Sequence, residues 1–525
     1  MIYEADYVDG QRFLRQTQTM VTEITSQLDH VRRRVSKNHQ RRERSRIGQF
    51  LTPAPIAHFM AGLFQRDVAD VRILDAGAGV GVLSAAAVET FISRKGRLRS
   101  LEVVAYENDE LMLPYLENAL GRCKAACTRA GVTFRGETRA NDFVAGGILQ
   151  TEEDLFAGET ERFTHAILNP PYKKIDGQSQ TRKLLDAAGM EVSNFYAAFV
   201  WLAAKMLEPG GELVAITPRS FCNGPYFRRF RLALLDMMAL RRLHVFESRN
   251  KAFRDDDVLQ ENVIFHAVRV GRKPKHVTIS SSEGSDFHKV NVRRMPYEDV
   301  VLPHDRDAFI HLVLNDDDKD VMHRMRRFGA SLDELGIEVS TGRVVDFRAR
   351  EHLRLQPEAG TAPLVYPCHF ERGFVRWPVE SDKKPNAIVS SEQTRDLMVP
   401  AGHYVLTRRF SAKEERRRVV AAIYDPQRVQ SPLVGFENHL NYFHARGKGL
   451  SPHLAKGLVL YLNSTLFDRY FRLFSGHTQV NATDLRKMRY PTREQLIRLS
   501  PYANNCIPDQ EAIDTILEKV YSTDG

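Results

Sequence analysis

Cysteine is scarce in this sequence, and its spacing excludes several classes of protein. The five cysteines are scattered, and no two of them form a CxxC pair. Zinc sites and the disulfide frames of small secreted proteins both rely on paired cysteines, so we expect a reducing compartment and no metal site. Cys123 and Cys127 share one face of a predicted helix, where packing is favoured over half of a metal site.

Long apolar runs are also missing. No stretch approaches the ~18 consecutive apolar residues that a membrane-spanning helix requires. The first residues, MIYEADYVDGQRF, lack the basic and then apolar layout of a signal peptide. The sequence therefore predicts a cytoplasmic protein without a membrane partner.

Acidic residues are outnumbered by basic ones. Lys and Arg total 75 against 66 Asp and Glu, which gives a net charge of +9 and a pI near 9.2. This balance permits a polyanionic partner, of which nucleic acid is the first candidate. The hydrophobic fraction of 43% argues against disorder over the chain as a whole. At 525 residues the chain is too long for a single hydrophobic core, so two large domains are expected.

Residues 1–45 form a predicted N-terminal helical segment. Its apolar residues alternate spacings of three and four and therefore share one stripe: Val21, Ile24, Leu28, Val31 and Val35. Two heptads are too few to establish a coiled coil, so packing on its own protein is favoured over dimerisation. The basic end of the segment indicates a solvated face, with phosphate contact as the minor alternative.

Residues 46–275 alternate strand-like and helical patterns. This order is typical of an α/β, Rossmann-like, doubly wound and mostly parallel sheet, here of seven strands, which binds ligands at the carboxyl ends of its strands. The strand-like runs are Val71–Leu74, Leu101–Tyr106, Val132–Phe134, Ala166–Leu168, Glu212–Ile216, Leu243–Phe246 and Val263–Val268.

The remainder of the chain has a different pattern. Residues 276–330 are polar and rich in turn residues, which predicts a connector. Residues 331–525 combine short strands, scattered prolines and a more helical end, which predicts a mixed α+β domain.

The first chemical motif is ILDAGAGVGVL, in which Asp75 ends a strand and Gly77, Gly79 and Gly81 precede a helix. Glycines let the backbone turn sharply and approach a ligand. A dinucleotide loop shares this layout, but an acid beside a pyrophosphate would be repulsive. A methionine-like ligand with an amino group suits Asp75 better. The alternative is a glycine-rich turn without a ligand.

Two further strand ends carry polar residues. Glu107 ends the second strand, where an acid can bind ribose hydroxyls, although a lone acid there is usually solvated. Asp142 and Phe143 follow the third strand, where Asp142 could accept from an adenine amino group and Phe143 could pack on the ring. That second interpretation depends on the position of the pair in the fold.

The fourth strand ends in Asn-Pro-Pro-Tyr, at Asn169, Pro170, Pro171 and Tyr172. Prolines fix φ and remove backbone donors, so this turn is stiff and presents acceptors. The Asn169 side-chain carbonyl and the Pro170 backbone carbonyl could hold both hydrogens of an exocyclic amino group, while Tyr172 offers a face to a planar base. Such a site works by positioning rather than by a strong base. The alternative is a strand that two prolines simply terminate.

These motifs resemble the class I S-adenosylmethionine (SAM)-dependent methyltransferases, specifically those that methylate adenine amino groups in DNA. The likeness covers residues 46–270, including Arg46–Phe64 before the first strand and Leu207–Gly224 around the fifth. In the carboxyl half, Tyr461–Pro491 resembles the end of type II modification methylases of the PstI/BsuBI kind. The order of ligand loop, Asn-Pro-Pro-Tyr and carboxyl-terminal target recognition domain is the same.

The resemblance implies SAM as the cofactor. The cofactor-binding residues that it implies are Thr52, Pro53, Asp75, Gly77, Gly79, Gly81, Glu107, Asp142 and Phe143. The first six would surround the methionine part, Glu107 would hold the ribose, and the last two would bind the adenine ring.

The resemblance also implies roles at the target base. Asn169, Pro170, Pro171 and Tyr172 would be catalytic, and Phe253 would stack on the flipped base, with a core phenylalanine as the alternative. An adenine inside a duplex must rotate out of the stack, at a cost of roughly a few kcal/mol. The rest of the chain would then hold and read DNA.

The basic candidates for DNA contact divide between the two halves of the chain. In the first half they are Lys173, Lys174 and Arg219, for which solvated surface is the alternative. In the second half they are Arg343, Arg348, Arg350, Arg408, Arg409, Lys413, Arg416, Arg417 and Arg418.

The sequence therefore predicts a site-specific DNA methyltransferase that moves a methyl group from SAM to N6 of a flipped-out adenine. Double-stranded DNA is the expected partner, and a cognate restriction endonuclease acting on the same site would be a separate protein. A monomer is expected, with a dimer through the N-terminal helix as the alternative. A close likeness to the PstI/BsuBI kind implies a CTGCAG-like target.

Other chemistries share this pattern of residues. Cytosine N4 is chemically similar to adenine N6. The remaining alternatives are methylation of RNA amino groups or of protein glutamine, and a catalytically silent DNA-binding module.

Overall fold

A computed structural model describes most of the chain. The described residues are 23–38, 51–94, 96–151, 161–247, 261–269, 272–287, 289–303, 305–380, 384–411, 415–474 and 479–522. The chain forms two compact units, Met1–Leu314 and Asn315–Gly525. Across the described ranges, every helix is too short or too polar to cross a membrane.

The first unit is built on a nine-stranded sheet with the order β3-β2-β1-β4-β5-β7-β6-β8-β9. Strand β7 runs antiparallel to both of its neighbours, and β9 runs antiparallel to β8. The remaining pairs are parallel. The strands are β1 (Asp70–Ala76), β2 (Ser100–Tyr106), β3 (Thr133–Arg139), β4 (Phe163–Leu168), β5 (Leu207–Pro218), β6 (Ala239–Phe246), β7 (Asn262–Val268), β8 (His276–Ser282) and β9 (Val290–Pro296).

Helices cover this sheet, which confirms the predicted doubly wound α/β class. A strand that is covered on both faces reads as a continuous apolar run, and β4 (FTHAIL) is buried along its whole length. The helices are α1 (Glu23–Asn38), α2 (Ala54–Gly62), α3 (Val82–Ser93), α4 (Leu113–Arg129), α5 (Phe143–Thr151), α6 (Gln180–Ala187), α7 (Phe195–Met206), α8 (Arg228–Met237) and α9 (Tyr297–Val300).

Residues 276–296, which the sequence pattern assigns to a connector, extend this sheet as β8 and β9. The seven-stranded prediction is therefore two strands short at this edge. The polar sequence of β8 is misleading because its serines are bonded inside the sheet. Ser280 and Ser282 both pair with the buried ring of His244, at 3.0 Å from Nδ1 and 3.0 Å from Nε2.

The apolar stripe of α1 packs inside the first unit. Ile24, Leu28 and Val35 are buried in the same core as β1 and α3. The helix start is held by Glu89, whose Oε1 accepts a hydrogen bond of 2.9 Å from Ile24 N. This arrangement agrees with the interpretation of a helix that packs on its own protein.

The second unit combines a six-stranded sheet, β10-β20-β17-β18-β14-β13, with a five-stranded sheet, β11-β15-β12-β19-β16. Its strands are β10 (Glu338–Thr341), β11 (Leu353–Arg354), β12 (Thr361–Val365), β13 (Phe370–Glu371), β14 (Phe374–Val375), β15 (Ala387–Val389), β16 (Met398–Pro400), β17 (Tyr404–Arg408), β18 (Ala421–Tyr424), β19 (Leu433–Phe436) and β20 (Leu440–His444).

Most α-helices of this unit lie in its last third, and the unit has the mixed α+β character that the sequence predicts. They are α10 (Asp316–Met325), α11 (Asp346–Ala349), α12 (Pro452–Leu462), α13 (Thr465–Phe474), α14 (Ala482–Arg486), α15 (Arg493–Leu499) and α16 (Gln510–Ser522).

Candidate active site

A cavity of about 590 Å³ opens at the carboxyl ends of the parallel strands of the first unit. Strand β1 lies between β2 and β4, so the strand order reverses at β1 and leaves a crevice there, as expected for a doubly wound sheet. The residues predicted from the sequence that line the cavity are Thr52, Gly77, Gly79, Glu107, Asp142, Phe143, Asn169, Pro171 and Lys173.

The glycine loop after β1 has the backbone that its sequence requires. Gly77, Gly79 and Gly81 all have positive φ, at 78°, 56° and 84°. A Cβ on Gly79 would lie 2.7 Å from Leu51 Cδ2, and one on Gly81 would lie 2.8 Å from Ala119 Cβ. The loop is therefore packed on both sides, and Gly81 serves the contact with α4 rather than the cavity wall.

Asp75 lies at the end of β1 and is fully buried. Its Oδ2 accepts hydrogen bonds from Ser84 Oγ at 2.6 Å and Ser84 N at 3.1 Å. Its Oδ1 has no hydrogen-bond partner among the described residues. Burial raises the pKa of Asp75 to about 7, and the negative charge of Glu107 adds to this effect. Asp75 does not appear among the described residues of the cavity wall.

Glu107 follows β2 and joins it to the glycine loop. Its Oε2 accepts a hydrogen bond of 2.7 Å from Gly79 N, and its Oε1 accepts one of 2.9 Å from Asp109 N. Burial raises the pKa of this carboxyl, while its backbone hydrogen bonds lower it. Glu107 therefore presents a carboxylate to the cavity from a fixed position.

Asp142 and Phe143 lie at the start of α5. Asp142 Oδ1 accepts a hydrogen bond of 2.8 Å from Ala145 N, which caps the first turn of the helix. The ring of Phe143 packs edge-on against Tyr106, with centroids 5.0 Å apart, and lies 4.9 Å from the ring of Phe199. These rings form an apolar wall at this end of the cavity.

The Asn-Pro-Pro-Tyr turn follows β4 at the same edge. Asn169 Nδ2 donates a hydrogen bond of 2.9 Å to Thr52 Oγ1. Tyr172 is buried, its ring lies 6.4 Å from that of Tyr196 at 81°, and burial raises the pKa of its hydroxyl well above the usual range. Tyr172 therefore stays neutral. The backbone after the turn is held by a hydrogen bond of 3.0 Å from Phe195 N to Lys173 O.

Several residues of the cavity wall escaped the sequence predictions. Leu111 and Asn141 follow strand ends, so adjacency to Glu107 and Asp142 could have revealed them. Phe195 and Phe199 come from α7, where their spacing of one helical turn reads as ordinary core packing. These residues are Tyr106, Asn108, Asp109, Leu111, Asn141, Phe195 and Phe199.

The cations predicted for DNA contact in the first unit differ in exposure. Lys173 and Lys174 are exposed. Arg219 is buried, and its Nη1 lies 3.3 Å from Glu261 Oε2. Its guanidinium is committed to this ion pair, so it offers little surface to a phosphate. Phe253 lies outside the described residues.

The cations of the second unit are equally mixed. Arg343 is exposed and donates to Asp396 O at 3.1 Å. Arg408 and Arg409 are half-buried, and Arg409 Nη1 donates to Asn438 O at 3.2 Å. Arg418 is fully buried, with its Nε bonded to Ser411 Oγ at 3.0 Å, which contradicts a surface role. Lys413 lies outside the described residues.

Comparisons with known proteins show the family to which the chain belongs. Residues 104–253 match the model of the Eco57I restriction-modification methylase family. Over 492 residues the chain is 44% identical to the type II methyltransferase M.PstI of Providencia stuartii, covering 94% of this chain and 96% of that protein. Over 512 residues it is 44% identical to M.BsuBI of Bacillus subtilis, covering 96% and 99%.

Proposed function

The chain belongs to the type II DNA methyltransferases of restriction-modification systems, and we propose that it transfers a methyl group from SAM to N6 of a flipped-out adenine in duplex DNA. The observation that carries the proposal is that Asn169 and Pro171 line the same cavity as Gly77, Gly79 and Glu107. One crevice therefore unites the groups suited to the methyl donor with those suited to the amino acceptor. We also propose that a separate restriction endonuclease acts on the same DNA site.

The residues of the cavity fit SAM. A nucleoside with a positively charged amino-acid tail needs apolar walls for its base, acceptors for its hydroxyls and negative charge near the tail. Phe143 and Tyr106 supply the wall, and Glu107 supplies an acceptor. Asp75 is not among the described residues of the wall, but its buried carboxyl at the end of β1 would add negative charge, and its Oδ1 is unpartnered among the described residues. The bound cofactor would supply a methyl group on a sulfonium, which is a strong electrophile.

The turn after β4 supports transfer to an amino group. Asn169 Oδ1 and Pro170 O are acceptors on a stiff backbone, and they would hold both hydrogens of an exocyclic amino group. This draws the nitrogen lone pair out of conjugation with the ring and aims it at the methyl group. Bound SAM would give up its methyl group as the sulfur–methyl bond breaks, and the nitrogen would lose one proton to solvent on accepting it.

Acid–base chemistry by the protein is not required in this scheme. The neutral Tyr172 would pack on the base rather than move a proton, because burial keeps its hydroxyl protonated. Catalysis would come from alignment of the amino nitrogen with the methyl group in a preorganised, water-poor site.

Incorporation of labelled methyl groups tests the proposal. We expect the protein to label DNA from a strain that lacks adenine methylation, and digestion to nucleosides should place the label in N6-methyl-2′-deoxyadenosine. Asn169→Ala should abolish incorporation while SAM binding persists. Label in N4-methylcytosine would refute adenine as the target base. Label in RNA or protein, with DNA unlabelled, would refute DNA as the substrate. Long-read sequencing of DNA from an expressing host would show the target and whether it is CTGCAG-like.

A further inference from the structure

We propose that Thr52 is a positioning residue for Asn169, in addition to the cofactor contact that its sequence context predicts. The inference rests on the proposed function and concerns the orientation of one amide. Thr52 Oγ1 accepts a hydrogen bond of 2.9 Å from Asn169 Nδ2. With its amide nitrogen held in this way, Asn169 directs its side-chain oxygen away from Thr52, on the side where it would accept from the target amino group.

The orientation matters because the two ends of an asparagine amide have opposite hydrogen-bonding character. A half-turn about the last side-chain bond would place the NH₂ group where the oxygen should be. The target amino group is also a donor, so that orientation would repel it and remove one of its two acceptors. The Thr52 hydroxyl could accept from Nδ2 or donate to Oδ1, and in this structure it accepts from Nδ2, which is the productive orientation.

The backbone around Thr52 is fixed on both sides. Leu51 packs against the glycine loop so closely that a Cβ on Gly79 would lie 2.7 Å from its Cδ2. Pro53, with φ of −62°, precedes α2, and its carbonyl accepts a hydrogen bond of 3.0 Å from Ala57 N. The next amide, Ala54 N, donates to Asp29 Oδ1 at 3.2 Å. The Thr52 hydroxyl is therefore a fixed reference point for the amide.

The Thr52 side chain is also protected from solvent. Only 5% of Thr52 is exposed, so water competes weakly for its hydroxyl. Thr52 and Asn169 both line the cavity, and the backbone carbonyl oxygen of Asn169 would lie 3.9 Å from a Cβ on Gly77. The segment before α2 therefore connects the glycine loop to the acceptor of the target amino group.

Three substitutions separate positioning from cofactor binding. Thr52→Val keeps the shape of the side chain and removes the acceptor, whereas Thr52→Ser keeps the acceptor. We expect Thr52→Val to lower kcat by about 10- to 100-fold, as for other losses of alignment, with the SAM dissociation constant changed by less than about threefold. Thr52→Ser should recover most of that loss, and Thr52→Ala should resemble Thr52→Val.

The assay uses the full-length protein, DNA from a strain without adenine methylation, and calorimetry for SAM affinity. A wild-type protein that labels no DNA would refute the proposed function itself. If the wild type labels DNA but Thr52→Val and Thr52→Ala match its kcat, the positioning role is refuted. It is equally refuted if weaker SAM binding accounts for the whole loss, or if Thr52→Ser is as slow as Thr52→Ala. Thr52→Ala provides the comparison if Thr52→Val does not fold.

Discussion

The Glu107 carboxylate is bonded to the backbone of Gly79, with 2.7 Å between Oε2 and the amide nitrogen. This contact joins the end of β2 to the loop that follows β1. Glu107 therefore has two functions in one position: it closes the glycine loop and it presents negative charge to the cavity. A change at Glu107 alters the shape of the cofactor site together with its charge.

Glu107→Gln should weaken SAM binding. The substitution places an NH₂ group opposite a backbone N–H or removes an acceptor, and a hydrogen bond to a charged group contributes roughly 1.5–3 kcal/mol, which corresponds to about 10- to 100-fold in affinity. Calorimetry with SAM measures the effect. Glu110→Gln is the matched control, because Glu110 is exposed in the same turn, and it should leave the affinity unchanged. Equal affinities for the two variants would contradict the prediction.

Cofactor affinity should depend on the protonation of Asp75. Its pKa is raised to about 7, so the carboxylate gains a proton as the pH falls from roughly 8 to 6 and loses its attraction for a positively charged ligand. SAM affinity should therefore fall as the pH is lowered through about 7.

Asp75→Asn isolates this effect from titration of the ligand itself. The variant should bind SAM weakly, and the ratio of its dissociation constant to that of the wild type should grow as the pH rises. A ratio that stays constant across the same pH range would show that Asp75 does not titrate in the way described.

Gly81→Ala should act on stability more than on cofactor binding. The substitution combines a φ of 84° with a Cβ only 2.8 Å from Ala119 Cβ, an atom that cannot move without α4. Strain at positive φ costs roughly 1–2 kcal/mol and overpacking adds about 1–3 kcal/mol. Thermal unfolding measures the loss.

Gly131→Ala provides the control for this prediction. Gly131 also has positive φ, 71°, but nothing lies within 4 Å of an added Cβ. Gly131→Ala should show only the backbone strain of a positive φ, without overpacking. Its unfolding temperature should therefore lie between those of the wild type and Gly81→Ala. Identical unfolding temperatures for the two variants would refute the packing role of Gly81.

Lys173→Ala should reduce the salt dependence of DNA binding. Lys173 is exposed and lines the cavity beside the Asn-Pro-Pro-Tyr turn, where the backbone of a flipped nucleotide would pass. Loss of one phosphate contact should lower the slope of log affinity against log salt by about one. Fluorescence anisotropy with duplex DNA measures the slope.

Two arginines serve as controls for Lys173. Arg97 is exposed before β2, at the amino end of that strand, and Arg97→Ala should leave the slope unchanged. Arg219→Ala should lower thermal stability instead, because Arg219 is buried beside Glu261. If either arginine variant changed the slope more than Lys173→Ala does, the predicted phosphate contact of Lys173 would be contradicted.

Much of the candidate site was accessible from the sequence because its chemistry is local. Asp75, Glu107 and Asn169 each stand at the end of an apolar run, and the carboxyl ends of parallel strands meet at one edge of a doubly wound sheet. The pattern of strands and helices was sufficient to predict the class of this sheet and seven of its nine strands. Gly77, Glu107 and Asn169 line one cavity, as expected for residues at the carboxyl ends of neighbouring parallel strands.

What depends on distant contacts was decided only by the tertiary structure. The serines of β8 predict a loop from sequence, whereas in the structure Ser280 is hydrogen-bonded to His244 inside the sheet. Gly81 is predicted to contact the ligand, whereas in the structure it packs against Ala119. The hydrogen bond from Asn169 to Thr52 spans more than a hundred residues of chain, and no local pattern encodes it. The sequence by itself identified the candidate groups at the strand ends, and packing between remote segments decided how each group is held.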